Sequence, residues 1–216
     1  MKDWRTSLGD SMTELPIFPL PPENPPAPSV VVLGRFQPFH RGHAYMIEFA
    51  DKWRLENMPN ASLVISIGSS NRPESLRNPW THLERSDMIN EWLAESSLED
   101  TPIFAPIPDI EDPPNWVHHA EMYHGGPGAF LSSDRPSLDL YGDCGWPTFE
   151  IPMEERNRLE GWRVRETARM MSTIADEGAI TEVLGVSVPL SVIDYLVRND
   201  ALKRLAFLGE GGEPVG

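Results

Sequence analysis

The sequence is short of cysteine, of basic residues and of long apolar runs. Of its 216 residues one is cysteine, Cys144, and 18 are Lys or Arg against 33 Asp or Glu, a formal net charge of −15. A single thiol excludes an intramolecular disulfide and a zinc site of four cysteines, and it fits a reducing compartment, so the cytoplasm is expected. A chain this acidic has no field to hold a DNA or RNA backbone through counterion release; any anionic ligand must be met by a local positive site. No apolar run approaches the roughly 18 to 20 residues of a membrane-spanning helix, so no membrane partner is expected. Asp3, Asp10 and Glu14, in an opening without a continuous apolar stretch, argue against a secretory signal. Neither Walker A nor G-x-G-x-x-G is present, which removes support from P-loop and ordinary dinucleotide folds.

What is present is enough apolar content, 40%, for the core of one domain. Residues 1–28 hold Pro16, Pro19, Pro21, Pro22, Pro25, Pro26 and Pro28, a density that removes backbone donors and fixes φ, so an extended arm or a tail is expected there rather than helix or central strand. At Ser29 the chain turns to Ser-Val-Val-Val-Leu-Gly, a β-branched run that reads as a strand buried on both faces. Met46, Ile47, Ala50 and Trp53 recur at helical spacing between His43 and Glu56, and an apolar run from Ser62 to Gly68 follows, completing a β-α-β unit. Thr81 with Glu84 forms the pattern of a capping box opening a further helix, and Pro102–Ile107 reads as a third strand. Ala129–Ser132 reads as a fourth strand. The stretch 134–160 has no clean period and carries Gly142, Gly145, Pro147 and Pro152, so an irregular insertion or lid is expected. Helices are expected over Arg163–Ile174, Ala179–Leu184 and Val188–Val197, and a Gly-rich tail over 209–216. Strands alternating with helices imply an α/β fold, a Rossmann-like parallel sheet with helices on both faces plus a C-terminal helical segment, spanning residues 29–208.

Ligands of such a sheet bind at the carboxyl ends of the strands. The segment Gly34-Arg35-Phe36-Gln37-Pro38-Phe39-His40-Arg41-Gly42-His43 lies there, between the first strand and the first helix. Gly34 permits close backbone approach and Gly42 leaves the start of the helix uncrowded. His40 and His43, three apart where free N–H groups and the helix dipole favour a phosphate, read as a structural pair, a metal half-site or phosphate ligands. His118, His119 and His124 cluster on another helix, where a solvated face is the simpler reading, and no metal ligands are assigned.

The ten-residue segment resembles the signature of the H-x-G-H nucleotidyltransferase superfamily, and specifically of its archaeal-type nicotinamide-mononucleotide adenylyltransferases. The similarity continues through Ile67-Gly68-Ser69-Ser70, Asn78-Pro79-Trp80-Thr81-x-x-Glu84-Arg85 and Pro106-Ile107-Pro108-Asp109-Ile110-Glu111 with Trp116 following, and covers roughly residues 29–208 apart from 134–160. It implies an enzyme that joins ATP and nicotinamide mononucleotide, with Mg²⁺ accompanying ATP, by in-line attack on the α-phosphate; a phosphate nucleophile is already ionised and needs no general base. It implies His40, His43 and Arg165 as catalytic; Gly34, Arg35, Phe36, Gly42 and Arg163 with these as the ATP site; and Phe36, Gln37, Asn78, Thr81, Arg85, Asp109 and Trp116 as the mononucleotide site. A homo-oligomer is also implied. The chain departs from the family at Leu159-Glu160-Gly161-Trp162-Arg163-Val164-Arg165, where Trp162 stands in place of a hydroxyl residue and Glu160 in place of serine, while Arg165 keeps its position; Arg163 is the expected compensating phosphate ligand. Transfer to nicotinate mononucleotide, transfer of CMP, and a catalytically weak nucleotide-binding protein are the alternatives.

Overall fold

The computed structural model describes residues 15–153 and 159–208. Among these residues five strands, β1 (Ser29–Gly34), β2 (Ser62–Ile67), β3 (Ile103–Pro106), β4 (Gly128–Ser132) and β5 (Thr148–Glu150), form one sheet in the order β3-β2-β1-β4-β5. All four pairings are parallel, with Ser29 opposite both Ser62 and Gly128. The chain therefore reverses its direction of sheet growth between β1 and β4, and a crevice opens at the carboxyl ends of these two strands.

Among the described residues seven α-helices cover the sheet: α1 (Arg41–Asn57), α2 (His82–Leu93), α3 (Trp116–His124), α4 (Arg135–Asp143), α5 (Gly161–Met171), α6 (Glu177–Leu184) and α7 (Leu190–Arg198). Alternation along β1 decides what each face buries. Val30 and Val32 pack with Ile47 of α1, Met88 of α2, Val164 of α5, Ile180 of α6 and Leu196 of α7. Val31 faces the other way, with Val117, Ala120 and Tyr123 of α3 and Leu138 and Tyr141 of α4. Both faces are covered, which is why the strands read as continuous apolar runs instead of alternating ones.

The stretch 134–160 differs from the irregular insertion expected of it. Residues Arg135–Asp143 are α4, capped by Asp134, whose carboxylate accepts from the Ser137 N–H at 3.1 Å. Thr148–Glu150 are the edge strand β5. The prolines and glycines here end elements that are too short for a periodic pattern to register; residues 154–158 lie outside the described residues. From residue 15 to β1 the arm forms neither helix nor strand, and it is docked. Asn71 Nδ2 donates to the Pro16 carbonyl at 3.0 Å, and the Tyr123 hydroxyl to the Pro19 carbonyl at 3.0 Å. Residues 1–14 and 209–216 lie outside the described residues. In the C-terminal region α7 starts at Leu190, with Pro189 as its N-cap.

Candidate active site

The crevice at the β1–β4 switch is a cleft of about 500 Å³ lined by Arg35, Phe36, Gln37, His40, Gly42, His43 and Arg165, with Ser132, Ser133 and Asp134 from the end of β4 and Met153, Leu159, Glu160, Gly161 and Trp162 from the approach to α5. Two helix N-termini meet there. His40 is the N-cap of α1, and a Cβ on Gly161, the first residue of α5, would lie 4.0 Å from His40 Nε2 and 3.5 Å from Arg165 Nη1. Such ends present unsatisfied N–H groups and a positive dipole pole to an anion.

The histidines stack on each other, with ring centroids 3.6 Å apart and planes 23° from parallel. The backbone N–H of His40 donates to His43 Nδ1 at 3.3 Å, which leaves the ring proton of a neutral His43 on Nε2. Burial, helped by the nearby Arg165 charge, lowers His40 to about 4. Burial and then His40 push His43 well below its ordinary range. At neutral pH both rings are uncharged donors. His40 Nδ1, buried, has no hydrogen-bond partner among the described residues. Gly42 permits this packing, because a Cβ there would stand 3.1 Å from the His40 ring and 3.3 Å from Leu159 Cβ.

Positive charge comes from arginines. Arg165, anchored by an Nη1 bond of 2.8 Å to the Gln37 carbonyl, is lowered to about 10 by burial and then by the Arg35 and Arg77 charges. Arg35 and Arg77, near enough to act on Arg165, join it in the local positive charge that an acidic chain needs for an anion.

Other residues expected at the site are placed elsewhere or otherwise employed. Gly34 does not line the cleft; a Cβ there would meet the Phe36 ring at 3.0 Å, so this glycine makes room for a buried phenylalanine that itself adopts φ 52°. The Gln37 amide clamps the backbone of Trp80, donating to its carbonyl at 2.8 Å and accepting from its N–H at 3.1 Å. Arg85 is buried and donates to the carbonyls of Arg35, Gly68, Ser69 and Thr81 at 2.7–3.2 Å. Thr81 caps α2 with Glu84 as the reciprocal partner. Asn78 is buried in the turn before α2, its N–H bonded to the Ser75 carbonyl at 3.1 Å. Asp109 pairs with Arg72 at 2.7 Å, and Trp116 packs on the α3–α4 core with its ring 6.2 Å from that of Tyr141. Gln37 lines the cleft all the same, whereas Gly34, Asn78, Thr81, Arg85, Asp109 and Trp116 lie outside its lining. Arg163 is not in it either; its guanidinium sits over the Trp162 ring, 4.5 Å from the centroid, and its Nε bonds Glu160 at 3.1 Å. Of the second histidine cluster, His119 Nε2 meets the Pro108 carbonyl, and His124 bridges the Gly125 carbonyl and the Tyr141 hydroxyl.

Sequence reasoning missed the β4 wall, Ser132 to Asp134, and Arg77. The Asp134-Arg-Pro-Ser137 start of α4 carried an N-cap signal that would have found the wall.

A family model described as cytidylyltransferase-like matches residues 31–126. The nicotinamide-nucleotide adenylyltransferase of Halobacterium salinarum is 32% identical over 178 residues, covering 82% of this chain and 90% of that protein. That of Haloarcula marismortui is 29% identical over 180 residues, covering 82% and 92%. Among solved structures, a bifunctional NMN adenylyltransferase/ADP ribose pyrophosphatase from Francisella tularensis, complexed with AMP and manganese, shares the fold at a TM-score of 0.56 and 18% identity over 82% of this chain. The chain spans about half, 52%, of that protein.

Proposed function

The chain belongs to the nicotinamide-nucleotide adenylyltransferase family, and from that premise we propose that it joins ATP and nicotinamide mononucleotide into NAD and pyrophosphate at the β1–β4 cleft. The observation that carries the assignment of the site is the meeting of the α1 and α5 N-termini with His40, His43 and Arg165 around one space. A 5′-phosphate oxygen of the mononucleotide attacks the α-phosphorus of ATP. A P–O bond forms, the bond to the β-phosphate bridge breaks, and pyrophosphate leaves with the electron pair. No proton need be removed from the nucleophile, so the work falls to alignment and to donors placed where charge builds up. His43 Nε2–H and His40 supply neutral donors, and Arg165 and Arg35 supply charge.

Magnesium enters this reading with ATP. Among the described residues no three His, Cys, Asp or Glu gather as a metal site. Asp134 is occupied in capping α4, and Glu160 in bonding Trp162 and Arg163. The residues fit an ion carried on phosphate oxygens better than a resident one. Among the described residues no helix is long and apolar enough to cross a membrane, and the lone Cys144 supports a cytoplasmic setting. Assembly into a homo-oligomer remains part of the proposal.

Purified protein given ATP, Mg²⁺ and nicotinamide mononucleotide should form NAD, and more slowly with nicotinate mononucleotide or CTP in substitution. Binding of ATP without NAD formation would refute the reading. His43→Ala should lower kcat by about 10²–10³, the usual cost of losing one donor to a developing charge; a variant of undiminished rate would remove His43 from the mechanism.

A further inference from the structure

The Trp162 side chain lies at the cleft yet offers nothing that a phosphate needs. It is 52% exposed, while Trp80, Trp92 and Trp146 are buried. Its indole is nonetheless held: Nε1 donates to Glu160 Oε2 at 2.8 Å, and the Arg163 guanidinium that lies 4.5 Å from the ring centroid bonds the same carboxylate oxygen. One edge and one face of the ring are thus engaged by neighbouring side chains of α5 and its approach, and the residue lines the cleft. An apolar ring kept oriented in water costs hydration without ligand and loses little freedom when a planar partner arrives.

We propose that Trp162 is the platform on which the adenine base of ATP stacks, so that the start of α5 holds this nucleotide at both ends, its phosphates near Gly161 and Arg165 and its base on the indole. The proposal rests on the adenylyltransferase reading. Position and charge select the base. Trp162 lines the cleft together with Ser132 at the end of β4 and with Ser133 and Asp134 that follow it, whereas Asp109 and Trp116, expected beside the mononucleotide, follow β3 at the far edge of the sheet. The guanidinium already on one face of the ring disfavours a second cation on the other, so the neutral purine fits there better than a cationic pyridinium.

Calorimetric titration of wild type and Trp162→Ala with ATP, nicotinamide mononucleotide and tripolyphosphate tests this. Stacking on an exposed aromatic predicts a loss of about tenfold in ATP affinity, with the affinities for tripolyphosphate and the mononucleotide unchanged and with Trp162→Phe retaining most of the ATP affinity. An unchanged ATP affinity, an equal loss for tripolyphosphate, or a loss confined to the mononucleotide each overturns it. Wild type that binds ATP and forms no NAD would defeat the proposed reaction while leaving the stacking result to stand on its own.

Discussion

Arg85 is a charged side chain with 1% of its surface exposed, and its four bonds run to carbonyls at the ends of β1 and β2 and at the α2 cap. Burial first, and then Arg35, lowers it to about 10, which still leaves it charged at neutral pH. Its removal strands several buried acceptors at once. Arg85→Ala should therefore cost on the order of 3–5 kcal/mol in urea unfolding, with Arg85→Lys recovering only part because an ammonium cannot span the same fork; a fully stable Ala variant would show that the carbonyls find other donors. His40 gives a prediction that depends on pH. Its folded pKa of about 4 lies below the ordinary 6.5, so the unfolded chain binds the proton first and stability falls as pH drops from about 6.5 to 4, by on the order of 3 kcal/mol from this group. Comparing thermal melts of wild type and His40→Gln across that window isolates the effect, which should be absent in the variant. The placement of the histidines and Gly42 at the start of α1 was legible in local spacing, whereas Arg165 was reached only through the family resemblance. The burial of Arg85 and of Arg54 was not legible. Each occupies a helix position that looks solvent-facing, and each is buried by partners far along the chain, Gly68 for one and Asp100 for the other.

Gly128 and Gly142 separate two meanings of glycine at the level of the elements they occupy. A Cβ on Gly128, at the start of β4, would stand 1.8 Å from the Ser29 carbonyl oxygen of the paired strand. Gly128→Ala must push β4 off β1 and should lower stability by about 2 kcal/mol or more. Gly142, in the last turn of α4, would bring its Cβ only to 3.9 Å from Thr148, and Gly142→Ala should be neutral or raise stability by up to about 0.5–1 kcal/mol through helix propensity. Urea midpoints of the two variants should move in opposite directions; a harmless Gly128→Ala would mean that β4 pairs more loosely than its register implies. Strands β1 and β2 and helices α1 and α2 were readable because each carries six or more residues of one period together with a start or stop signal. α4 and β5 were hidden by brevity. A three-residue strand has no period, and Pro147 immediately before it reads as a break when it is the residue that admits an edge strand.

On the scale of the whole molecule the net charge of −15 works against compactness, while Arg35 and Arg165 line the cleft against that background, with Arg77 near enough to act on Arg165. Screening should relieve the general repulsion, so raising NaCl from roughly 0.05 to 0.5 M should lift the melting temperature by a few degrees, and a fall would mean that attractive pairs such as Arg204–Glu84 outweigh the excess. The strand order also sets a sequence of events during synthesis. β1 finds β2 after some thirty residues, but its other edge waits for β4, with Ser29 and Gly128 ninety-nine positions apart. At ordinary ribosomal speeds that is roughly 5–20 s during which a Val-Val-Val edge has no partner. The nascent chain is thus most exposed to wrong strand pairing along the border where the cleft will form, and the site is completed only when the second half of the sheet arrives.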